Sequence, residues 1–129
     1  MSPEFLSLAE ILQIHRDQIE RYGGASGIRD LGLLQSALAM PAAGFGGRYL
    51  HQDLFEMAAA YLFHLIQNHP FVDGNKRTGA VAAIIFLLVN DIELEADEED
   101  LEKVVMEVAE GNMTKAVVAD FFRDNSQPR

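Results

Sequence analysis

The chain has 129 residues, with 20 acidic against 10 basic side chains, 49% hydrophobic residues and no cysteine. This length fits one domain, assigned to residues 1–129, and the apolar content is high enough for a core, so disorder is excluded. The lack of cysteine excludes disulfides and cysteine–metal sites, and the net charge of −10 argues against nucleic-acid binding, which needs a basic face.

The apolar pattern is helical from end to end and predicts about six helices. The first begins after Ser7, which has the capping-box spacing to Glu10, and ends at Gly23–Gly24. The second, from about residue 30 to 40, stops at Pro41. Residues 42–52 are glycine-rich and predict a flexible connection. Four more helices are expected at about residues 54–68, 75–90, 99–110 and 114–122, before a frayed tail at 128–129.

The fourth predicted helix is apolar on every side from Gly79 onward, which is typical of a buried helix. The expected fold is therefore an all-α, single-domain bundle of about six helices around this buried central helix. The longest apolar run, residues 80–89, is about half of what a membrane span requires, and the N-terminus has no signal-peptide pattern. We expect a soluble, cytoplasmic protein with no membrane contact.

The negative charge is concentrated in one segment. Residues 91–110 hold ten acidic side chains and one basic one, a local charge of −9, so the other residues sum to −1. We interpret this segment as a solvated helix face, with contact to a partner protein as the alternative.

Residues 69–77, between the third and fourth predicted helices, concentrate polar chemistry in one loop. The first N–H groups of the fourth helix and the positive end of its dipole face this loop, as they do in anion sites. Two cations in the first turn, Lys76 and Arg77, are unfavourable there unless an anion compensates them. The segment therefore resembles a phosphate site built from His69, Asp73, Gly74, Asn75, Lys76 and Arg77.

Most of these residues also have a structural interpretation. Asp73 is placed to cap the fourth helix or to bind Mg²⁺ that bridges phosphates. His69 is suited to take a proton from an attacking hydroxyl, or to cap the third helix. Lys76 and Arg77 could be solvated surface charges. A zinc site of His64, His69 and Asp73 is a further alternative, although the spacing across a helix end is poor ligand geometry.

The pattern His69-x-Phe71-x-Asp73-Gly74-Asn75-Lys76-Arg77 resembles the signature of the Fic/Doc superfamily, and specifically its Doc (death-on-curing) toxin branch. The resemblance extends to the N-terminal part through Tyr22-Gly23-Gly24, Gly27-Ile28-Arg29-Asp30, residues 33–37 and Pro41. Residues 93–96 and 109–111 are similar to the C-terminal part of Doc proteins. Nearly the whole chain is covered.

The resemblance implies a role for each residue of the signature. His69 would activate a hydroxyl on a target protein, and Asp73 would hold Mg²⁺ on the phosphates of ATP. Phosphate oxygens would be bound by Asn75, Lys76, Arg77 and the backbone around Gly74. Phe71 is grouped with these nucleotide-binding residues, although its own character predicts a core side chain that pins the loop. In-line phosphoryl transfer needs little beyond such positioning and charge neutralisation.

Two departures from the Fic pattern distinguish the possible reactions. AMP-transferring Fic proteins carry Gly-Asn-Gly-Arg and a second arginine three positions later, where this chain has Lys76 and Ala80. The Doc branch similarly lacks both and is known for transferring the terminal phosphate to a threonine of elongation factor Tu, which arrests translation. We therefore favour a protein kinase that uses ATP and Mg²⁺ over an AMP transferase.

The regulation that the resemblance implies is external. The inhibitory motif of many Fic proteins, Ser/Thr-x-x-x-Glu-Gly/Asn, fails here because Met106 stands four residues before Glu110. Inhibition would then come from a separate antitoxin, as in type II toxin–antitoxin systems. A third hypothesis, a non-catalytic binding module, is disfavoured by the intact signature.

Overall fold

The computed structural model describes residues 2–129 as six helices and four very short strands. The all-α fold of about six helices is confirmed. In chain order the elements are α1 (Leu8–Tyr22), α2 (Leu31–Ala39), β1 (Gly44–Phe45), β2 (Arg48–Tyr49), α3 (Leu54–Asn68), α4 (Asn75–Val89), β3 (Ile92–Leu94), α5 (Glu98–Ala109), α6 (Lys115–Asp124) and β4 (Ser126–Pro128).

Helices α3 and α4 form the centre of the bundle together. The prediction of α4 as the central helix needs this addition, because α3 contacts α2, α4, α5 and α6 and is at least as deeply buried. The two helices pack closely at Gly79, where an added Cβ would lie 3.2 Å from the Leu62 carbonyl oxygen. All six helices contribute buried side chains to one hydrophobic core, among them Ile11, Leu34, Leu62, Phe86, Val108 and Phe122.

Local sequence signals explain where the helices begin and end. Ser7 and Glu10 form the expected capping box on α1, and Gly23 ends that helix with φ of 81°. Asp30 and Asp53 cap α2 and α3 through their side chains. Only six residues connect the end of α3 to the start of α4, and these residues form the polar loop. Within residues 2–129 no helix combines the length and apolar character needed to cross a bilayer.

Two segments are more ordered than the sequence analysis expected. The glycine-rich connection is a β-hairpin in which β1 pairs with β2. Its turn residues Gly46 and Gly47 both have positive φ, which the tight hairpin turn requires. The chain end is not frayed, because β4 pairs antiparallel with β3. Both pairings connect residues whose local patterns are too short to indicate a strand.

One partly buried polar cluster joins α3, α6 and the segment after the hairpin. The Lys115 ammonium donates to Nε2 of His64 at 3.1 Å, which requires a neutral imidazole. Burial, then Lys115 and then His51 lower the pKa of His64 from 6.5 to about 4. Burial also lowers the pKa of His51, whose side chain is nearly inaccessible. The fold therefore favours the neutral form of both histidines.

This cluster predicts that acidification destabilises the protein. Because the pKa of His64 is lower in the folded state, the unfolded chain binds more protons as pH falls from 6.5 towards about 4. We expect the urea midpoint to fall over this range, and to fall less steeply in His64→Gln, which keeps an acceptor for Lys115 and cannot be protonated. His69→Gln serves as the control on an exposed histidine. Equal slopes for wild type and His64→Gln would contradict this assignment.

Candidate active site

The loop between α3 and α4 lies at the mouth of a cavity of about 520 Å³. The C-terminus of α3 and the N-terminus of α4 meet here, because the two central helices pack side by side and only six residues connect them. The structure thus brings together most of the predicted site residues. The cavity is lined by His69, Asp73, Gly74, Asn75, Lys76 and Arg77, with Ile66 and Ala109.

His69 follows the last residue of α3 in the left-handed conformation, with φ of 49° and ψ of 53°. This conformation costs a non-glycine residue about 1 kcal/mol, so neighbouring contacts must hold it. The side chain is exposed, and no hydrogen bond to its ring is found within residues 2–129. His69 is the C-cap residue of α3, as one interpretation expected, but the hydrogen bonds to the carbonyl oxygens of Asn68 and His69 come from the Arg29 side chain and not from the imidazole.

Asp73 accepts two backbone hydrogen bonds, from Ala25 N–H at 3.2 Å and from Gly74 N–H at 2.8 Å. These two bonds, and then the charges of Arg77 and His15, lower the pKa of the Asp73 carboxyl group below its usual value, so the group is ionised at neutral pH. Asp73 does not cap α4, since the cap position is Gly74 and no side chain bonds the first turn. The exposed carboxylate keeps lone pairs that can bind a cation.

The N-terminus of α4 is open and has no side-chain cap among residues 2–129. Gly74 precedes the helix with φ of 79°, and an added Cβ there would lie 3.1 Å from Ile19 Cδ1. Without a side-chain cap, the first N–H groups of the helix remain available to an external acceptor, and the helix dipole favours a negative charge.

Lys76 and Arg77 add two charges at this helix end. Lys76 is exposed, with its Nζ 3.9 Å from Met106 Sδ. Arg77 is half-buried, donates to the Gly23 carbonyl oxygen at 2.9 Å and lies over the Tyr22 ring. In the part of the chain that the structure describes, neither cation forms an ion pair with a carboxylate. Arg77 is thus not merely a solvated charge, and an anionic ligand would remove an electrostatic penalty.

Two residues of the signature have structural duties inside the loop. The Asn75 side chain accepts from Phe71 N–H at 2.9 Å and donates to the Phe71 carbonyl oxygen at 3.0 Å. Asn75 could therefore offer a phosphate only its backbone N–H. Phe71 is fully buried and stacks on the His15 ring, with centroids 3.8 Å apart. Its expected role as a core side chain is confirmed. Its grouping with the nucleotide-binding residues is corrected, because it has no accessible surface.

Residues 23–30 hold much of the site in place, which no local sequence pattern predicted. Arg29 N–H and Asp30 N–H donate to the Pro70 carbonyl oxygen, and Val72 N–H donates to the Gly27 carbonyl oxygen. On the inner side of the loop, His15 Nε2 lies 2.8 Å from the Asp73 carbonyl oxygen. The signal present in the sequence was the run Gly27-Ile28-Arg29-Asp30, which indicated family resemblance and no specific contact.

The zinc alternative has no support in the geometry. Within residues 2–129 no group of three or more histidine and acidic side chains is arranged to hold a metal ion. The Nε2 atom of His64, one of the three proposed ligands, is instead 3.1 Å from Lys115 Nζ. Asp73 remains the one exposed carboxylate lining the cavity.

The close approach of Gly24 to Asp73 generates a test of the carboxylate's environment. An added Cβ at Gly24 would lie 2.7 Å from Asp73 Oδ2, the atom that Ala25 N–H contacts. We expect Gly24→Ala to displace the carboxylate and raise the pKa of Asp73 towards its usual value of 3.8, measured by NMR titration.

The matched control is Gly27→Ala. Gly27 has φ of 120° against 116° at Gly24, but its added Cβ would meet only Val72 at an ordinary distance. It should leave the pKa of Asp73 unchanged. If both variants shifted this pKa equally, backbone strain and not the contact would be responsible.

Comparison with known proteins agrees with this geometry. A model of the Fic/DOC family matches residues 5–87, a range that includes the whole loop. Protein kinase doc of Escherichia phage P1 is 32% identical over 118 residues, which cover 92% of each chain. Toxin Doc of Mycolicibacterium smegmatis is 46% identical over 76 residues, which cover 59% of this chain and 58% of that protein. The chain therefore belongs to the Fic/DOC family, and its similarity to these two proteins confirms the expected Doc branch.

Proposed function

We propose that this protein is a Doc-type toxin that transfers the terminal phosphate of ATP to a serine or threonine hydroxyl of elongation factor Tu. Protein synthesis in the cytoplasm would stop as a result. The observation that carries the proposal is the exposed His69 beside an uncapped helix N-terminus, where two cations have no acidic partner among residues 2–129. The names of the two relatives, a toxin and a protein kinase, support the same reaction class.

The residues present fit the phosphates of a nucleotide. The N–H groups at the start of α4 would donate to phosphate oxygens, with Gly74 allowing close approach. Lys76 and Arg77 would neutralise the charge that spreads over the transferred group in the transition state. A donor bound here would be a substrate and not a resident group of the protein.

The residues also fit Mg²⁺. Asp73 is exposed and ionised, and its position is secured by two backbone hydrogen bonds. One carboxylate is sufficient, since Mg²⁺ in such sites is held by one or two carboxylates together with substrate phosphates. When bound, Mg²⁺ would supply charge neutralisation at the phosphates.

His69 would act as the general base. Its exposed ring takes the proton from the target hydroxyl as that oxygen forms a bond to phosphorus, while the bond between phosphorus and the bridging oxygen of the nucleotide breaks. The other product is the nucleoside diphosphate. The proton then passes from His69 to solvent, which reaches the ring directly.

We also assign a cognate antitoxin as the partner that inhibits the reaction. The α5 position that would carry the hydroxyl of an internal inhibitory motif is Met106, an exposed side chain beside Lys76. A methionine has no hydroxyl to donate, so this helix supports no such motif.

A labelling experiment tests the reaction itself. We expect transfer of label from γ-labelled ATP, and none from α-labelled ATP, to elongation factor Tu in the presence of Mg²⁺. His69→Ala should abolish the transfer, because the general base is lost. Transfer of the α-label would establish the AMP-transferase alternative. If neither label moved in a protein that arrests growth, elongation factor Tu would be the wrong target. If growth were also normal, the binding-module hypothesis would replace the enzyme.

The role of Asp73 generates a separate prediction. Asp73→Asn should lose Mg²⁺-dependent transfer while keeping the fold, because the amide has one oxygen and can still accept one of the two backbone hydrogen bonds. Turnover and thermal unfolding would be measured together. Asp100→Asn, which removes the same charge from the exposed start of α5, should behave as wild type. Wild-type turnover in purified Asp73→Asn would refute the metal assignment.

A further inference from the structure

Arg29 makes contacts that the proposed reaction has not used. Its Nε donates to the His69 carbonyl oxygen at 2.7 Å, and its Nη2 donates to the Asn68 carbonyl oxygen at 3.0 Å. Its backbone N–H donates to the Pro70 carbonyl oxygen at 2.7 Å. One residue thus binds three successive carbonyl groups, 39 to 41 positions further along the chain.

These contacts surround His69, whose backbone conformation is unusual for a residue other than glycine. Apart from glycines, only His69 and Asp91 have positive φ within residues 2–129. The φ and ψ of His69 set the direction of its Cα–Cβ bond, and with it the region that the imidazole can reach. The carbonyl groups on both sides of this residue, and its own, are the ones that Arg29 holds.

We propose that Arg29 is a positioning residue for His69. It holds the His69 backbone in the left-handed conformation and thereby aims the imidazole into the cavity beside the α4 N-terminus. Arg29 acts through the His69 backbone and contacts no substrate. This inference rests on the proposed function for its kinetic consequence, but its structural content does not depend on the reaction.

The chemistry of arginine fits this task better than that of lysine. The planar guanidinium presents N–H groups in a fixed fork, which matches two carbonyl oxygens at the end of a helix. A cation there is also favoured by the negative end of the α3 dipole. Lysine would keep the charge but could not hold both carbonyl groups in a fixed geometry. Comparing the two residues therefore separates electrostatics from positioning.

The kinetic test uses Arg29→Ala and Arg29→Lys, with Arg16→Ala as the control for loss of an exposed arginine on α1. We expect kcat for phosphate transfer to fall about 10-fold to 100-fold in both Arg29 variants. A catalytic group that is displaced by about 1 Å from its productive position loses a factor of this size. The KM for ATP should stay within about twofold of wild type, because the α4 N-terminus is intact. Arg16→Ala should match wild type in both parameters.

If Arg29 only stabilised the fold, its loss would affect stability and turnover differently. Arg29→Ala would then unfold at a lower temperature, while kcat per folded molecule stayed at the wild-type value. Arg29→Lys, which keeps the charge at the end of α3, provides the readout if Arg29→Ala does not fold. Unchanged kcat in a folded Arg29 variant would overturn the proposal.

A measurement without turnover separates this inference from the proposed function. The three-bond coupling between the α proton of His69 and the carbonyl carbon of Asn68, measured by NMR, is large only when φ of His69 is positive. We expect wild type and Arg16→Ala to show the coupling of positive φ, and the Arg29 variants to lose it. If wild type transferred no phosphate, the proposed function would fail, and this coupling would still decide the role of Arg29. An unchanged coupling in the Arg29 variants would refute it.

Discussion

The placement of the whole site depends on one strip of hydrogen bonds, in which residues 25–30 lie alongside the loop at 69–73. Ile28 and Phe71 form an isolated antiparallel bridge at its centre, and backbone bonds to Pro70 and Val72 lie on either side of it. A loop exposes backbone groups that need partners. Here a second loop supplies them, so that residues carrying the chemistry keep a defined position although neither segment belongs to a helix.

The two central helices determine what this strip connects. Close packing of α3 on α4 at Gly79 brings the negative end of one helix dipole next to the positive end of the other. A basic side chain, Arg29, binds at the first end, and an anion is favoured at the second. Only six residues therefore separate the negative end of the α3 dipole from the positive end of the α4 dipole. This arrangement would let the proposed proton acceptor and the proposed anion site lie in one small cavity.

Local patterns predicted the features that depend on neighbouring residues. Helix ends at Ser7 and Gly23 follow from capping and glycine conformation, and the loop was recognised from its composition. The assignment of Asp73 as a helix cap failed because its acceptors face Ala25, 48 positions away, and the N–H of Gly74. The contacts of Arg29 and the pairing of β3 with β4 also join residues that are far apart in sequence. No periodicity or spacing encodes such partners, which only the packed fold brings together.

Lys76 and Arg77 at the start of α4, which have no acidic partner among residues 2–129, would affect how the proposed nucleotide approaches. The protein carries a net charge of −10, and the acidic helix α5 borders the same cavity through Ala109. At physiological ionic strength charges are screened beyond about 8 Å, so an approaching polyanion meets a weakly repulsive surface until it is almost in place. Attraction then begins abruptly at the helix end. Capture of the proposed nucleotide would therefore be a short-range event that depends on the helix end and not on the field of the whole protein.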